Sequence, residues 1–312
     1  MTPVTTARPE AVSSHGLVLC LLNGAAHSDG AEKQRDRVAK AFAQHAHNVR
    51  IEMPPSCDAI EDRARQAVRG GAKLVIAGGG DGTMNAVANA LAGSDTALGV
   101  LPMGTLNHFA KDLGIPLDIE DAAANALGGR ARSVDVAEVN GRVFINNSSI
   151  GLYPEIVRER EALQKRGLGK WTAFLGAMVD VVHRSSTIRV RIKAPARSLK
   201  TRTDFVFIGN NEYELAALRV GARVRMDGGQ LWVCNVPHTG RFRAVGAALR
   251  ALLAVEKPKA PLVFSAHELR IETKRSFLDV AADGEVLRLQ TPLHYRSRPR
   301  ALRVMVPAAS SG

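Results

Sequence analysis

The stretch Lys73-Leu74-Val75-Ile76-Ala77-Gly78-Gly79-Gly80-Asp81-Gly82-Thr83 decides how the chain is read. A short apolar run rich in branched residues ends in three glycines, an acid, a glycine and a hydroxyl residue. Helical spacing follows over 83–91. An apolar run bounded by turn signals predicts a buried strand. Glycines permit positive φ and let the main chain approach a ligand with no Cβ in the way. Amides there and at the start of the next helix point at one spot, which favours phosphate. Asp81 sets a carboxylate beside that spot. Next to phosphate it is repulsive unless a cation or a transferred proton intervenes, which suggests Mg²⁺. The plain alternative is a tight strand–helix turn with Asp81 as a helix cap.

Some 25 residues on, Gly99-Val100-Leu101-Pro102-Met103-Gly104-Thr105-Leu106-Asn107-His108-Phe109-Ala110 repeats the pattern of strand, Gly-Thr turn and helix. Two such turns at the carboxyl ends of strands in one parallel sheet share a crevice, where ligands of open α/β sheets bind. Around them, strands are expected over 17–22, 49–53, 73–77 and 97–101, and helices over 30–47, 59–69, 83–91, 106–113 and 121–127. Alternating short strands and helices imply a doubly wound parallel sheet covered on both faces. After residue 134 the texture changes. Strands are expected over 133–140, 142–147, 188–193, 203–209, 230–236, 269–273, 277–282 and 285–290, with helices over 155–182 and 242–254. That predicts a second domain of mostly antiparallel sheet. Residues 292–300 read as a linker, 301–306 as a last strand and 1–16 as a disordered tail.

Composition agrees. The 312 residues are 46 % hydrophobic and 23 % charged, the balance of a soluble globular chain, and the length suggests about two domains. No apolar run approaches the roughly 18–20 residues that span a bilayer. Leu17 to Leu22 is too short for a signal-peptide core and ends in the turn-like Asn23-Gly24. Cys20, Cys57 and Cys234 are scattered and odd in number, which argues against a disulfide framework or zinc cluster and for a reducing, cytoplasmic location. The net charge of +12 draws the chain to anionic surfaces such as acidic lipid headgroups or phosphorylated ligands. Aromatic residues are only 4 %, too few for nucleic-acid stacking platforms, and no DNA-binding motif is present, so nucleic acid is not expected as a partner.

A third motif is Asp279-Val280-Ala281-Ala282-Asp283-Gly284-Glu285. In an extended strand Asp283 and Glu285 would point to one face. Paired carboxylates can hold a cation while one accepts a proton. The alternative is an ordinary hairpin, since Asp-Gly between apolar strands is a turn signal.

Together these motifs resemble the diacylglycerol kinase catalytic family, which includes bacterial lipid kinases and sphingosine-type kinases. The likeness rests on Gly79-Gly80-Asp81-Gly82-Thr83, on Pro102-Met103-Gly104-Thr105-Leu106-Asn107-His108-Phe109-Ala110, on Asp227-Gly228-Gly229 and on Asp283-Gly284-Glu285, in the family order. The first core is shared with NAD kinases and 6-phosphofructokinases; the later elements are more specific to lipid kinases. The resemblance implies a nucleotide-binding α/β domain over 17–134, a β-sandwich lipid-substrate domain over 135–291, and a segment over 292–308 returning to the first domain. It implies that Gly79, Gly80, Asp81, Gly82, Thr83, Met84 and Asn85 cradle the ATP phosphates, helped by Gly104, Thr105 and Asn107, with Asn23 touching the nucleotide. Asp283 matches the general base, Asp81 and Glu285 help place Mg²⁺, and Asp227 with the main-chain oxygens of Val224 and Gly229 matches a second, structural Mg²⁺ site. Asp135 matches an acidic position of an interdomain network. The chain departs from the family pattern at Gly24, where proline is usual, at Ala86, where glutamate is common, and at His108, where aspartate is common.

The function so implied is ATP- and Mg²⁺-dependent transfer of a γ-phosphate to a lipid hydroxyl, of diacylglycerol or sphingoid type. The alternatives are a kinase of a soluble substrate such as NAD, or a non-catalytic nucleotide- or lipid-binding module. Asp283→Ala is expected to keep the fold and lose turnover. A lipid kinase without a spanning segment must visit the membrane peripherally. Residues 241–254 set Phe242, Val245, Leu249, Leu252 and Leu253 on one helical face with Arg241, Arg243 and Arg250 nearby, which suits docking on anionic lipid or packing on the sandwich. A homodimer is left open.

Overall fold

The structure is a computed structural model that describes residues 18–24, 28–45, 48–151, 154, 187–213, 223, 225–238 and 262–308. The expected tail over 1–16, the helices expected over 155–182 and 242–254, and Val224 lie outside the described residues. The chain forms two compact units, one of residues 1–136 and 298–312, the other of residues 137–297.

The first unit is built on parallel strands. β1 (Val18–Leu22) pairs with β2 (Val49–Glu52) and β3 (Leu74–Gly79); β3 pairs with β4 (Ala97–Pro102), which pairs with the last turns of β15 (Leu293–Val306). Every residue of β1, β3 and β4 is buried, as a sheet covered on both faces demands. The cover comes from α1 (Ser28–Ala43), α2 (Cys57–Arg69), α3 (Asp81–Leu91), α4 (His108–Asp112) and α5 (Ile119–Gly128). One core joins Cys20, Leu22, Ile76 and Leu101 to Val38 and Phe42 of α1 and to Ala122, Ala123 and Ala126 of α5. Local signals set the helix ends. Ser56 accepts from the Ala59 amide (3.2 Å) to start α2, and Asp118 accepts from Glu120 and Asp121 (2.9 and 3.3 Å) to start α5 two residues before the predicted 121.

The second unit is antiparallel throughout its described pairings. It holds the end of β5 (Arg130–Val139), β6 (Arg142–Phe144), β7 (Asn147–Gly151), β8 (Ile188–Ala194), β9 (Arg197–Asn210), β10 (Leu231–Pro237), β11 (Leu262–Ala266), β12 (Glu268–Glu272), β13 (Phe277–Ala282), β14 (Glu285–Gln290) and the start of β15. The path runs β14-β13-β7-β9-β8-β12-β15, with β10 on β9 and β11 on β10. Its core gathers Phe144, Ile150, Val190, Ile192, Val206, Ile208, Val233, Ile271, Val280 and Tyr295.

Two strand readings are corrected. The stretch expected as a linker over 292–300 is none: from Leu293 on it is the first half of the continuous β15, whose alternating Leu293 and Tyr295 are buried while His294 and Arg296 are exposed. The proline and the arginines obscured that period. The stretch 142–147 is not one strand but β6 and the start of β7, separated at Ile145-Asn146, where backbone amides turn toward a carboxylate described below. Strand β11 was not anticipated. No helix among the described residues is long and apolar enough to cross a membrane.

Candidate active site

The two glycine turns meet. Neighbouring strands β3 and β4 pair in parallel with Gly78 opposite Leu101 and Gly79 opposite Pro102, so both turns leave the sheet at one level. The Gly79 carbonyl accepts from the Met103 amide (2.9 Å), locking one turn to the other. A Cβ on Gly104 would stand 2.5 Å from Gly80 Cα, and one on Gly79 would overlap the Thr83 side chain. Only glycine fits these positions. Helix α3 starts at Gly80 with no side chain on its first amides, so the positive end of its dipole is left to a ligand. Asn23, just past β1, donates from Nδ2 to Thr83 Oγ1 (3.3 Å) and so belongs to the same group.

Asp81 has a structural task the sequence did not reveal. Its Oδ2 accepts from the His108 amide (3.2 Å) and its Oδ1 from the Phe109 amide (3.1 Å). It caps α4, the helix of the second turn, and thereby ties the turns together a second time. Asn107, in the left-handed region at φ 50, folds back on Gly104: Oδ1 accepts from the Gly104 amide (2.9 Å) and Nδ2 donates to its carbonyl (3.0 Å). Thr105 is exposed, whereas Met84 and Asn85 are buried in α3, the Asn85 carbonyl and Oδ1 accepting from Asn89 Nδ2. Beside Pro102, Met103 and Gly104 lies a cavity of ≈ 370 Å³, lined also by Lys33, Arg37 and Leu117. Sequence reasoning missed these two cations. Their four-residue spacing on α1 was the available signal.

In the second unit Asp283 and Gly284 have φ of 47 and 88, and Ala282 pairs with Glu285. This is a two-residue hairpin turn with both central residues at positive φ. The expectation of an extended strand presenting Asp283 and Glu285 on one face is therefore corrected: the hairpin reading holds, and Glu285 is the first residue of β14. The Asp283 carboxylate is nonetheless the centre of a built site. Oδ2 accepts from the Ile145 amide (2.7 Å), and Oδ1 from the Asn146 and Asn147 amides (2.9 and 3.0 Å). Arg223 grips the same loop, donating to the Ile145 carbonyl (2.5 Å) and Asn146 Oδ1 (3.0 Å). Burial pushes the Asp283 carboxyl up to about 6; the three amides and the Arg223 charge oppose that shift without cancelling it. A carboxyl so tuned is poised near neutral pH, the property a proton acceptor needs. Neither the amide cradle nor Arg223 was legible, because they come from residues about 60 to 138 positions away.

The other acidic residues are placed differently. Asp227 pairs with Arg225 (3.1 Å), and the Gly229 carbonyl accepts from His267 Nδ1 (2.7 Å). These oxygens are engaged by protein donors, and among the described residues no group of three or more His, Cys, Asp or Glu side chains could hold a metal. Val224, the third member of the expected set, lies outside the described residues. Asp135, 1 % exposed, accepts from the Arg300 amide (2.8 Å) and braces the end of β15 in the first unit. Asp81 keeps unused lone pairs beside the phosphate turns, so one oxygen donor of the kind Mg²⁺ takes is present there.

Residues 17–139 match the diacylglycerol kinase catalytic domain. The chain is 32 % identical over 249 residues, 78 % of its length and 80 % of the relative's, to a Pseudomonas aeruginosa protein named "Probable lipid kinase YegS-like". It is 36 % identical over 150 residues to "Diacylglycerol kinase" of Bacillus subtilis (strain 168), a match that spans 47 % of this chain and half of that relative. A crystal structure of a diacylglycerol kinase from Bacillus anthracis str. Sterne shares the fold with a TM-score of 0.69 at 24 % identity, covering 94 % of this chain and 97 % of that one. Another from the same organism reaches 0.72 at 25 % identity, with the same coverage. Touching glycine turns, the cradled carboxylate of the acidic hairpin and a relative aligned over most of both chains lead to one conclusion: the chain belongs to the diacylglycerol kinase family of lipid kinases, which are phosphotransferases.

Proposed function

We propose that the protein is an ATP- and Mg²⁺-dependent lipid kinase that phosphorylates the hydroxyl of diacylglycerol or a sphingoid-like lipid, visiting the membrane peripherally. The observation that carries this reading is the contact of the two glycine turns, with Gly104 so close to Gly80 that no side chain fits between them. Uncapped α3 amides and the Lys33–Arg37 pair give that spot the positive character a triphosphate requires. Asn23 and Thr83 border it, and Asn107 holds Gly104 in shape. Asp81 is the oxygen donor that would hold Mg²⁺ there, and the ion when bound would neutralise charge on the β- and γ-phosphates.

The chemistry asked of the protein is placement and one proton transfer. The lipid oxygen forms a bond to the γ-phosphorus, the bond from that phosphorus to the β–γ bridging oxygen breaks, and ADP leaves with the electron pair. The hydroxyl proton passes to the Asp283 carboxylate. Three main-chain amides hold that carboxylate in place to accept it. Glu285 follows it on the hairpin and would keep the local field negative. The test is purified protein with γ-labelled ATP and Mg²⁺, offered diacylglycerol, a sphingoid base and NAD in parallel. Label in a lipid supports the reading; label in NAD alone, or in nothing, rejects it.

A further inference from the structure

One sheet face of the second unit is loaded with positive charge. Along β8, Ile188, Val190 and Ile192 point into the core, so Arg189, Arg191 and Lys193 share the outer face. The pairing register sets like charges against one another: Arg189 opposite Arg202, Arg191 opposite Lys200, and Lys193 opposite Arg270. Like charges directly across a strand pair are unfavourable, and here three such pairs follow one another. Among the described residues these six cations share a single paired carboxylate, Glu272, which lies 2.8 Å from Lys193, 3.4 Å from Arg270 and 3.9 Å from Arg191. The Lys193 hydrogen bond and the neighbouring cations hold the Glu272 carboxyl below the usual range. Among the described residues, Arg189, Lys200 and Arg202 have no ion-pair partner. Further along, Arg296 is balanced by Glu138 (2.6 Å) and stands opposite Glu268.

We propose that this face, formed by β8, the first half of β9, β12 and the first half of β15, is the surface by which the protein docks on a bilayer of acidic phospholipid. Self-repulsion of this kind is relieved when anionic headgroups supply the missing countercharge. A twisted but continuous sheet face matches an extended array of headgroups. At its edge lies a groove of ≈ 720 Å³ of mixed charge, lined by Lys193, Arg270 and Arg296 together with the carboxylates of Glu138 and Glu268. No Phe, Tyr or Trp lies among the outward described positions of these strands, so the face is poorly supplied with stacking platforms for single-stranded nucleic acid. The choice of membrane rests on the lipid-kinase reading, because the substrate of such an enzyme lies in one.

The test is co-sedimentation with vesicles of phosphatidylcholine containing 30 mol % phosphatidylglycerol, against phosphatidylcholine alone. Wild type is expected to prefer the acidic vesicles and to lose that preference in 1 M NaCl. The triple variant Arg189→Gln, Lys200→Gln, Arg202→Gln removes the three cations that have no ion-pair partner among the described residues. Its affinity for acidic vesicles should fall on the order of 100-fold, while its melting temperature holds or rises as like-charge repulsion is relieved. Glu272→Gln should tighten binding roughly fivefold, a gain that misfolding cannot mimic. Equal binding of wild type and both variants to acidic vesicles overturns the proposal, as does wild-type preference for neutral vesicles. Turnover of a short-chain diacylglycerol dispersed as monomer separates the two readings. It should be unchanged in the triple variant; a wild type that phosphorylates no lipid yet binds acidic vesicles through this face would sink the kinase reading and leave the docking surface standing.

Discussion

Asp283 does two jobs that pull in opposite directions. It accepts three main-chain amides and so holds the 145–147 loop in place, and it carries a carboxyl pushed up to about 6 by burial. Replacement by alanine would strand those amides in the interior, each costing about 1–3 kcal/mol. The expectation that Asp283→Ala keeps the fold therefore gives way: a loss of stability is predicted, visible as a lowered melting temperature. Asp283→Asn keeps one acceptor oxygen for Asn146 and Asn147, and it is the cleaner probe. Its turnover should fall about 10²–10⁴-fold with ATP affinity retained. The proton balance gives a pH signature. The folded carboxyl holds its proton up to about pH 6, whereas the unfolded one releases it near 3.8. Its contribution to stability is thus fully present below pH 3.8 and lost as pH rises through 6. Activity runs the other way: kcat/KM should rise with pH on an acid limb centred near 6, and Asp283→Asn should abolish that limb.

Among the elements, the two strand–turn–helix units of the first domain explain both what was legible and what was not. The apolar strands, the glycines and the helical spacing announced β3, α3, β4 and α4, because each signal is local. The cross-brace between them is not local: Asp81 sits at the start of α3 but satisfies the first amides of α4. A helix cap was among the readings open for Asp81, yet nothing in the chain said which helix it would cap. Loss of such a cap costs about 0.5–2 kcal/mol. Asp81→Ala should therefore lower the melting temperature of the nucleotide-free, metal-free protein, and a residue whose only role was to bind a cation would leave it unchanged. The hairpin of β13 and β14 carries the opposite lesson. Its Asp-Gly turn was readable from two residues, but the amide cradle and Arg223, which turn a surface turn into a half-buried, tightly held acid, come from distant parts of the chain.

At the scale of the whole molecule, the order of elements distinguished a parallel unit from an antiparallel one, since strands alternating with helices build a parallel sheet and strands following one another closely build an antiparallel one. It failed at β15, where Arg296, Arg298, Pro299 and Arg300 broke the apolar signal although one unbroken strand contributes to both units. The charge of +12 was visible from the start, but its concentration on one sheet face depends on strand register, which no local pattern discloses. The account stands on the first unit's touching glycine turns as the seat of a triphosphate. Calorimetric titration of Gly104→Ala with ATP and, in parallel, with adenosine tests it most directly. With its Cβ driven against Gly80, the variant should lose at least roughly tenfold in ATP affinity while adenosine binding changes little. Wild-type affinity for ATP in a folded Gly104→Ala protein would contradict the account.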